Sequence, residues 1–481
     1  MSYIGKTPTI GNFQVCDAIS VVNNQAAYTM QVGSVNVSPE SANHMIVSLN
    51  GVIQKPTDAF TVSGSTITFA SNLVTGDVIN FIQILGNVLD LGVPSDATVS
   101  TAKIVDGSVT SAKLASGAVQ NQSAFRNIII NGDMSLAQRA TSETGITNAS
   151  GDVFVADRFC WSESGGMTSQ FTMSQDTDVP AGYGFAKSLK LDCTTTDTPA
   201  TTERIRIETR FEGQNLQYLK KGTANAESWT ISFWVKSVKT GTYIVNFRDE
   251  DNARIVSKAY TISSANTWEK KIVTVAPDTT DPFDNDNAHS LTVAWILSAG
   301  SSLQSGSLAD VWQDYANANY AAGQVNFADN TANNFWITGV QLEAGTTASD
   351  FEFLPHDVNF ERCKRYFTIP VRSRGQDTPI ANGTMYTATD FYGVFEVGKG
   401  MRATPTLAFP TGTNFYGLVG NSNAGTFTGS TMSFGNITND GTCKTRIEVG
   451  SVANKVQGQG AWLRFEGATD TDDFISASSE L

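Results

Sequence analysis

The chain has 481 residues, and 32 Lys and Arg against 46 Asp and Glu give it a formal charge of 32 − 46 = −14. That balance excludes the dense cationic face by which a nucleic-acid binder releases counterions. Charged residues make up only 16% and hydrophobic ones 40%, which excludes disorder throughout and suggests a hydroxyl-rich β protein rather than a helical enzyme.

In chain order, short alternating bursts come first. Residues 45–51 end in Asn50-Gly51, a pair that tolerates the positive φ of a type I′ hairpin turn. Further runs at 59–69 and 76–84 complete a small β domain, residues 1–90. Between 96 and 119 a period of ten brings back Val99, Val109 and Val119, with Lys103 and Lys113, and Ile104 and Leu114. So few apolar side chains cannot build a monomeric core. Residues 91–125 are therefore expected to be a self-associating stalk rather than a flexible Ser/Gly/Thr tether.

Residues 126–357 hold seven of the eight tryptophans and strand-length runs at 189–193, 205–211, 229–235, 243–247, 268–275, 291–297 and 335–342. Turn residues separate them, which predicts a two-sheet sandwich or jelly roll. Only Leu308 to Tyr320 comes close to helical spacing. A short helical hinge at 360–367 then leads into a C-terminal β domain, residues 358–481, with strands at 391–397 and 461–465.

Little in the sequence announces chemistry. Cys16, Cys160, Cys193, Cys363 and Cys443 form no Cys-x-x-Cys pair, so neither a disulfide framework nor a zinc site follows. No apolar stretch reaches a membrane span of about 18 residues, and the first residues lack a secretory core, so a soluble chain made in a cytosol without membrane insertion is expected. Gly393 to Lys399 copies the spacing of a phosphate loop, but Gly400 replaces the hydroxyl and the intervening residues alternate like a strand. His44, His289 and His356 are isolated, which suits structural or surface roles. No catalytic, cofactor or metal site is expected from these patterns, nor any enzymatic activity. The acidic stretch 278–287 has oxygen density suited to calcium but lacks the glycine and closing glutamate of a helix-loop-helix site, so a solvated turn is the plainer reading. One residue stands out as a candidate receptor contact. In the run 229–236, Trp229, Ile231, Phe233 and Val235 share one face, which leaves Trp234 with Thr230, Ser232 and Lys236 on the other, either stacking on a sugar or covered by a loop or a neighbouring subunit.

Several segments are similar to those of one family. Leu49-Asn-Gly-Val-Ile-Gln-Lys-Pro56 and the runs at 60–69 and 76–79 resemble virion-attachment domains of bacteriophage tail fibres, particularly of marine phages, and the decapeptides resemble the linkers that follow them. Asn127-Ile-Ile-Ile-Asn-Gly-Asp-Met134, Asp157-Arg-Phe159, residues 229–237, 268–271 and 336–345 are similar to a fibre jelly roll, itself like carbohydrate-binding modules. Cys363-Lys-Arg-Tyr-Phe367 and the closing residues 474–481 resemble the end of the same proteins. The resemblance implies a homotrimer in the virion tail. Its N-terminal domain would dock on tail adaptor, nozzle or baseplate proteins, and its distal β domains would bind a host surface glycan or protein. It carries over no receptor-contact residue by position. Two alternatives stay open, a tailspike-type polysaccharide depolymerase and a purely structural tail protein.

Overall fold

The computed structural model describes residues 13–86, 125–373, 377–411, 415–420, 423–427, 432–435, 444–452, 455–465 and 473–481. Apart from Phe125, the expected stalk at 91–125 lies outside the described residues, and so does Cys443. Chain contacts separate two units, Met1–Val119 and Gln120–Leu481. Strands dominate both. Among the described residues the only α-helix is His356–Lys364, and no helix is long and apolar enough to cross a membrane.

In the first unit, small antiparallel sheets enclose Tyr28, Met30, Met45, Val47, Phe60, Ile67 and Ile82. Asn50 and Gly51 take φ of 51° and 77° and join Met45–Leu49 to Val52–Ile53 through the expected two-residue turn. The run at 59–69 is two strands, not one. Gly64 at φ 55° reverses the chain between Phe60–Ser63 and Thr66–Leu73, because Ser-Gly-Ser offers no side chain to continue the alternation.

The second unit begins with a two-sheet sandwich. One sheet orders six strands as Ser142–Ile146, Gln170–Asp176, Ser188–Thr195, Asn334–Ala344, Trp229–Ser237 and Glu269–Val275. The other orders seven as Val153–Phe154, Cys160–Ser164, Arg204–Glu212, His289–Ala299, Gly241–Asp249, Arg254–Ile262 and Gln313–Asp314. Alternation sends Trp161, Phe171, Trp229, Phe233, Phe247, Trp295 and Phe335 into the space between the sheets, where all are buried. Truncating one such aromatic costs about 3–5 kcal/mol, so these rings define the core. The near-helical stretch from Leu308 to Tyr320 is not an α-helix but a short strand, Gln313–Asp314, and one 3-10 turn, Asn317–Asn319. It lies across the outer face of the seven-stranded sheet, with Leu303, Ala309, Tyr320 and Ala321 packed on Ile244, Ile255 and Ile296.

A second core forms around Met385, Phe391, Phe395, Tyr416, Ile447, Leu463 and Phe465. The apparent phosphate loop is here the edge-to-edge paired strand Phe391–Glu396. Charged groups fasten this part to the sandwich. Arg365 Nη2 donates to Glu212 Oε2 at 2.6 Å, Tyr366 Oη donates to Glu212 Oε1 at 2.6 Å, and Arg158 lies over the Tyr366 ring while pairing with Glu480.

Candidate functional site

The outer face of the seven-stranded sheet carries a cleft of about 250 Å³. Its existence follows from side-chain size. In strand Arg204–Glu212, Ile205, Ile207 and Phe211 point into the core, so Arg204, Arg206, Glu208 and Arg210 line the outer face. Across the sheet Glu208 pairs with Ala294, and Ala294 pairs with Asn246. The next row is Arg210, Thr292 and Arg248. A methyl group at Ala294 between longer neighbours leaves the floor low. One wall is the segment bearing Tyr315 and Tyr320, whose ring centroids are 6.1 Å apart.

The four guanidinium groups are not equivalent. Arg206 pairs with Glu208 and donates from Nη1 to Ser164 Oγ and from Nη2 to Ser162 Oγ, each at 3.2 Å. Arg210 Nε donates to Glu208 Oε1 at 2.8 Å, and its Nη2 lies 2.6 Å from Asp152 Oδ2. Burial pushes the Glu208 carboxyl up, but the two arginines outweigh it and hold the group below the ordinary glutamate range. Arg248 Nε sits 3.2 Å from Glu250 Oε2 without hydrogen-bond alignment, and its guanidinium carbon lies 4.7 Å from the Tyr315 centroid. Arg204 rests on Tyr320 at 5.0 Å, with its buried Nε lacking a partner. Asn246 is 1% exposed, and neither end of its amide has a hydrogen-bond partner. A buried polar group left so costs about 1–3 kcal/mol, so the floor is short of a polar partner.

His289 closes one end of the cleft, with Nε2 2.8 Å from Thr292 Oγ1, which in turn donates to Glu250 Oε1 at 2.8 Å. Burial, reinforced by Arg210, lowers its pKa to about 4, so it stands neutral at pH 7. Asp152, Cys160 and Glu208 bring ligand atoms within 4.8 Å of one another. Burial and the Glu208 charge push the Cys160 thiol well up, and Arg206 and Arg210 already hold the carboxylates, so the group is built around fixed cations.

Trp234 lies elsewhere, on the outer face of the six-stranded sheet. It is half-buried, with Tyr183, 55% exposed, against it at 4.3 Å between centroids. Thr230 and Ser232, assigned to the same polar face, are buried. Thr230 Oγ1 donates to Gly345 O at 2.8 Å, and Gln341 beside Ser232 bonds Ser349, so the chain after strand Asn334–Ala344 covers that part of the face. The acidic stretch 278–287 is not simply a solvated turn. Lys221, 4% exposed, sits with Nζ 2.7 Å from Asp249 and 3.2 Å from Asp278, and donates to Thr280 O at 3.1 Å. An ammonium group thus occupies the centre of the oxygen cluster.

No family model matches the chain, and no curated protein does. Solved structures similar to part of this chain include the enzymatically active domain of tailspike protein 4 of bacteriophage CBA120, 14% identical over 46% of this chain and 22% of that one, with a TM-score of 0.24. A family 4 carbohydrate-binding module is 11% identical over 44% and 97% of the two chains, at a TM-score of 0.24. An α-L-arabinofuranosidase is 12% identical over 46% and 29%, at a TM-score of 0.22. The match therefore spans less than a third of the tailspike and arabinofuranosidase chains. The expectation that the chain is not an enzyme is corrected by these neighbours, two of which are catalytic proteins. Its basis was the lack of a linear motif, and glycoside hydrolysis needs none: two carboxylates at a set separation suffice, and folding can bring them from any distance in sequence.

Proposed function

We propose that the chain is a phage tail adhesin whose sandwich binds a host surface glycan in the cleft floored by Ala294 and Asn246. The observation that carries this reading is Asn246, a buried amide at the floor of a polar, aromatic-walled cleft with no protein partner at either end. Sugar hydroxyls supply both the acceptors and the donors such an amide lacks. The likeness of residues 49–79 and of the decapeptide repeats to tail-fibre segments supports a virion location, docking on tail proteins through the N-terminal domain, and a homotrimer. Trimeric display would strengthen weak single contacts, often near millimolar, by roughly 10² to 10⁴. The Trp234 and Tyr183 surface is a second, separate contact for the host, glycan or protein.

A second reading is a tailspike-type polysaccharide depolymerase. The carboxylates of Glu208 and Glu250, 42 positions apart in sequence, line the same cleft and favour it. One experiment tests both. The purified full chain is titrated calorimetrically with host capsular and lipopolysaccharide glycans, the same mixtures are assayed for new reducing ends, and attachment of the chain to host cells is scored beside them. Saturable binding without new ends supports the adhesin, and new ends lost in Glu250→Gln support the depolymerase. Host-cell attachment without any glycan binding contradicts the cleft assignment, and neither attachment nor binding leaves the structural tail protein.

A further inference from the structure

Resting on the reading of the cleft as a glycan site, we infer that its ligand is an acidic sugar, one bearing a carboxylate or a sulfate ester. The four arginines of the cleft divide into two sorts. Arg206 and Arg210 are spent on Glu208, Asp152 and the hydroxyls of Ser162 and Ser164. The Arg204 side chain has no ion pair and no hydrogen bond among the described residues, although its Nε is buried. It is held by Tyr320 alone, as Arg248 is held by Tyr315 on the same wall while touching one carboxylate through Nε. Stacking on an aromatic face fixes the plane of a guanidinium group and leaves its terminal N–H groups directed outward. Such a fork matches the two oxygens of a carboxylate or sulfate, and charge-assisted bonds of this kind are roughly twice as strong as neutral ones.

The neutral alternative explains less. Hydroxyls are satisfied by amides and other hydroxyls, and need no half-buried cation without a counter-charge. The chain as a whole is strongly acidic, with a net charge of −14, so a general cationic surface does not account for an unpaired arginine here. Histidine adds no charge at pH 7, because burial and Arg210 lower its pKa to about 4 in His289. The selectivity therefore falls to Arg204, with Arg248 and Asn246 in the lining of the same cleft.

The test uses the full chain and two matched pairs of polysaccharides: polygalacturonate with its carboxyl-reduced form, and a sulfated galactan with its desulfated form. Calorimetric titration at fixed ionic strength is expected to show one acidic member binding at least ten-fold more tightly than its neutral counterpart. Which pair responds distinguishes carboxylate from sulfate. Arg204→Gln is expected to abolish that preference, and Arg204→Lys, which keeps the charge and loses the fork, to restore part of it. Should Arg204→Gln fail to fold, the matched pairs on the unaltered chain decide alone. Equal binding of acidic and neutral members, lost in Ala294→Val, overturns this inference and leaves the glycan reading standing. No binding of any of the four polymers overturns the inference and counts against the reading itself.

Discussion

Asn246 faces Glu208 across Ala294, each paired in register with that alanine from the strand on either side of it. The depression between them exists because the middle residue ends at Cβ. Ala294→Val places two further methyl groups in it. We expect binding of the cleft ligand to fall at least ten-fold, with a stability loss of about 1–3 kcal/mol from overpacking. Calorimetry and thermal melting on the same preparation separate the two effects.

His289 makes stability depend on pH with a definite sign. Its pKa falls from 6.5 to about 4 on folding, so below pH 6.5 the unfolded chain takes up a proton that the folded chain refuses. Stability therefore drops as pH falls from 6.5 towards 4, by at most about 3 kcal/mol, and this contribution levels off below that. Glu208 and Glu212 act at lower pH. Burial raises both carboxyls, but their arginine partners prevail and hold them low, so the stability they contribute is lost only as pH falls below the ordinary value of 4.5. Urea unfolding at pH 7 and pH 5 is expected to show the decline, and His289→Gln to remove most of it.

Lys221 is the internal cation of the acidic stretch, and its loss leaves Asp249 buried without a cation, while Asp278 keeps only Arg254. Lys221→Met is expected to destabilise the sandwich by about 3–5 kcal/mol, as breaking a buried pair does. An unfolding midpoint that does not move would show the pair to be solvated.

Trp234→Ala is expected to leave affinity for the cleft ligand unchanged, because the residue lies on the outer face of the opposite sheet, and to cost about 1–2 kcal/mol for a half-buried ring. A lost titration signal with an unchanged melt would move the glycan to the Trp234 and Tyr183 surface.

The repeats at 96–119 predict self-association, since two or three apolar side chains per repeat cannot be buried within one chain, and the resemblance to tail fibres implies that the copies number three. Light scattering at micromolar concentration is expected to give three copies, and deletion of 96–119 to weaken assembly. A monomer would contradict the stalk.

Much of the sandwich was legible because its strands alternate cleanly, as in Ile205-Arg-Ile-Glu-Thr-Arg-Phe211. That run also displayed its arginines on one face, the one trace of the cleft the sequence carried. Asn246, Ala294 and Tyr320 gave no such sign, because their meaning comes from register between distant strands and from a segment whose near-helical spacing disguised a plug over the sheet. Trp234 shows the opposite case. Alternation gave its face correctly, but could not tell that the chain after Ala344 folds back over Thr230 and Ser232 and leaves that face largely covered. Lys221 was equally hidden, since its partners come from distant parts of the chain, Asp249 at the end of strand Gly241–Asp249 and Asp278 in a loop.

The most direct measurement is a crystal structure of the full chain with the tightest-binding glycan of the panel. The account predicts density for a sugar above Ala294, with the Asn246 amide and the Arg204 guanidinium group within hydrogen-bond distance of its oxygens. Ordered ligand elsewhere on the protein, with this cleft unchanged, would contradict it.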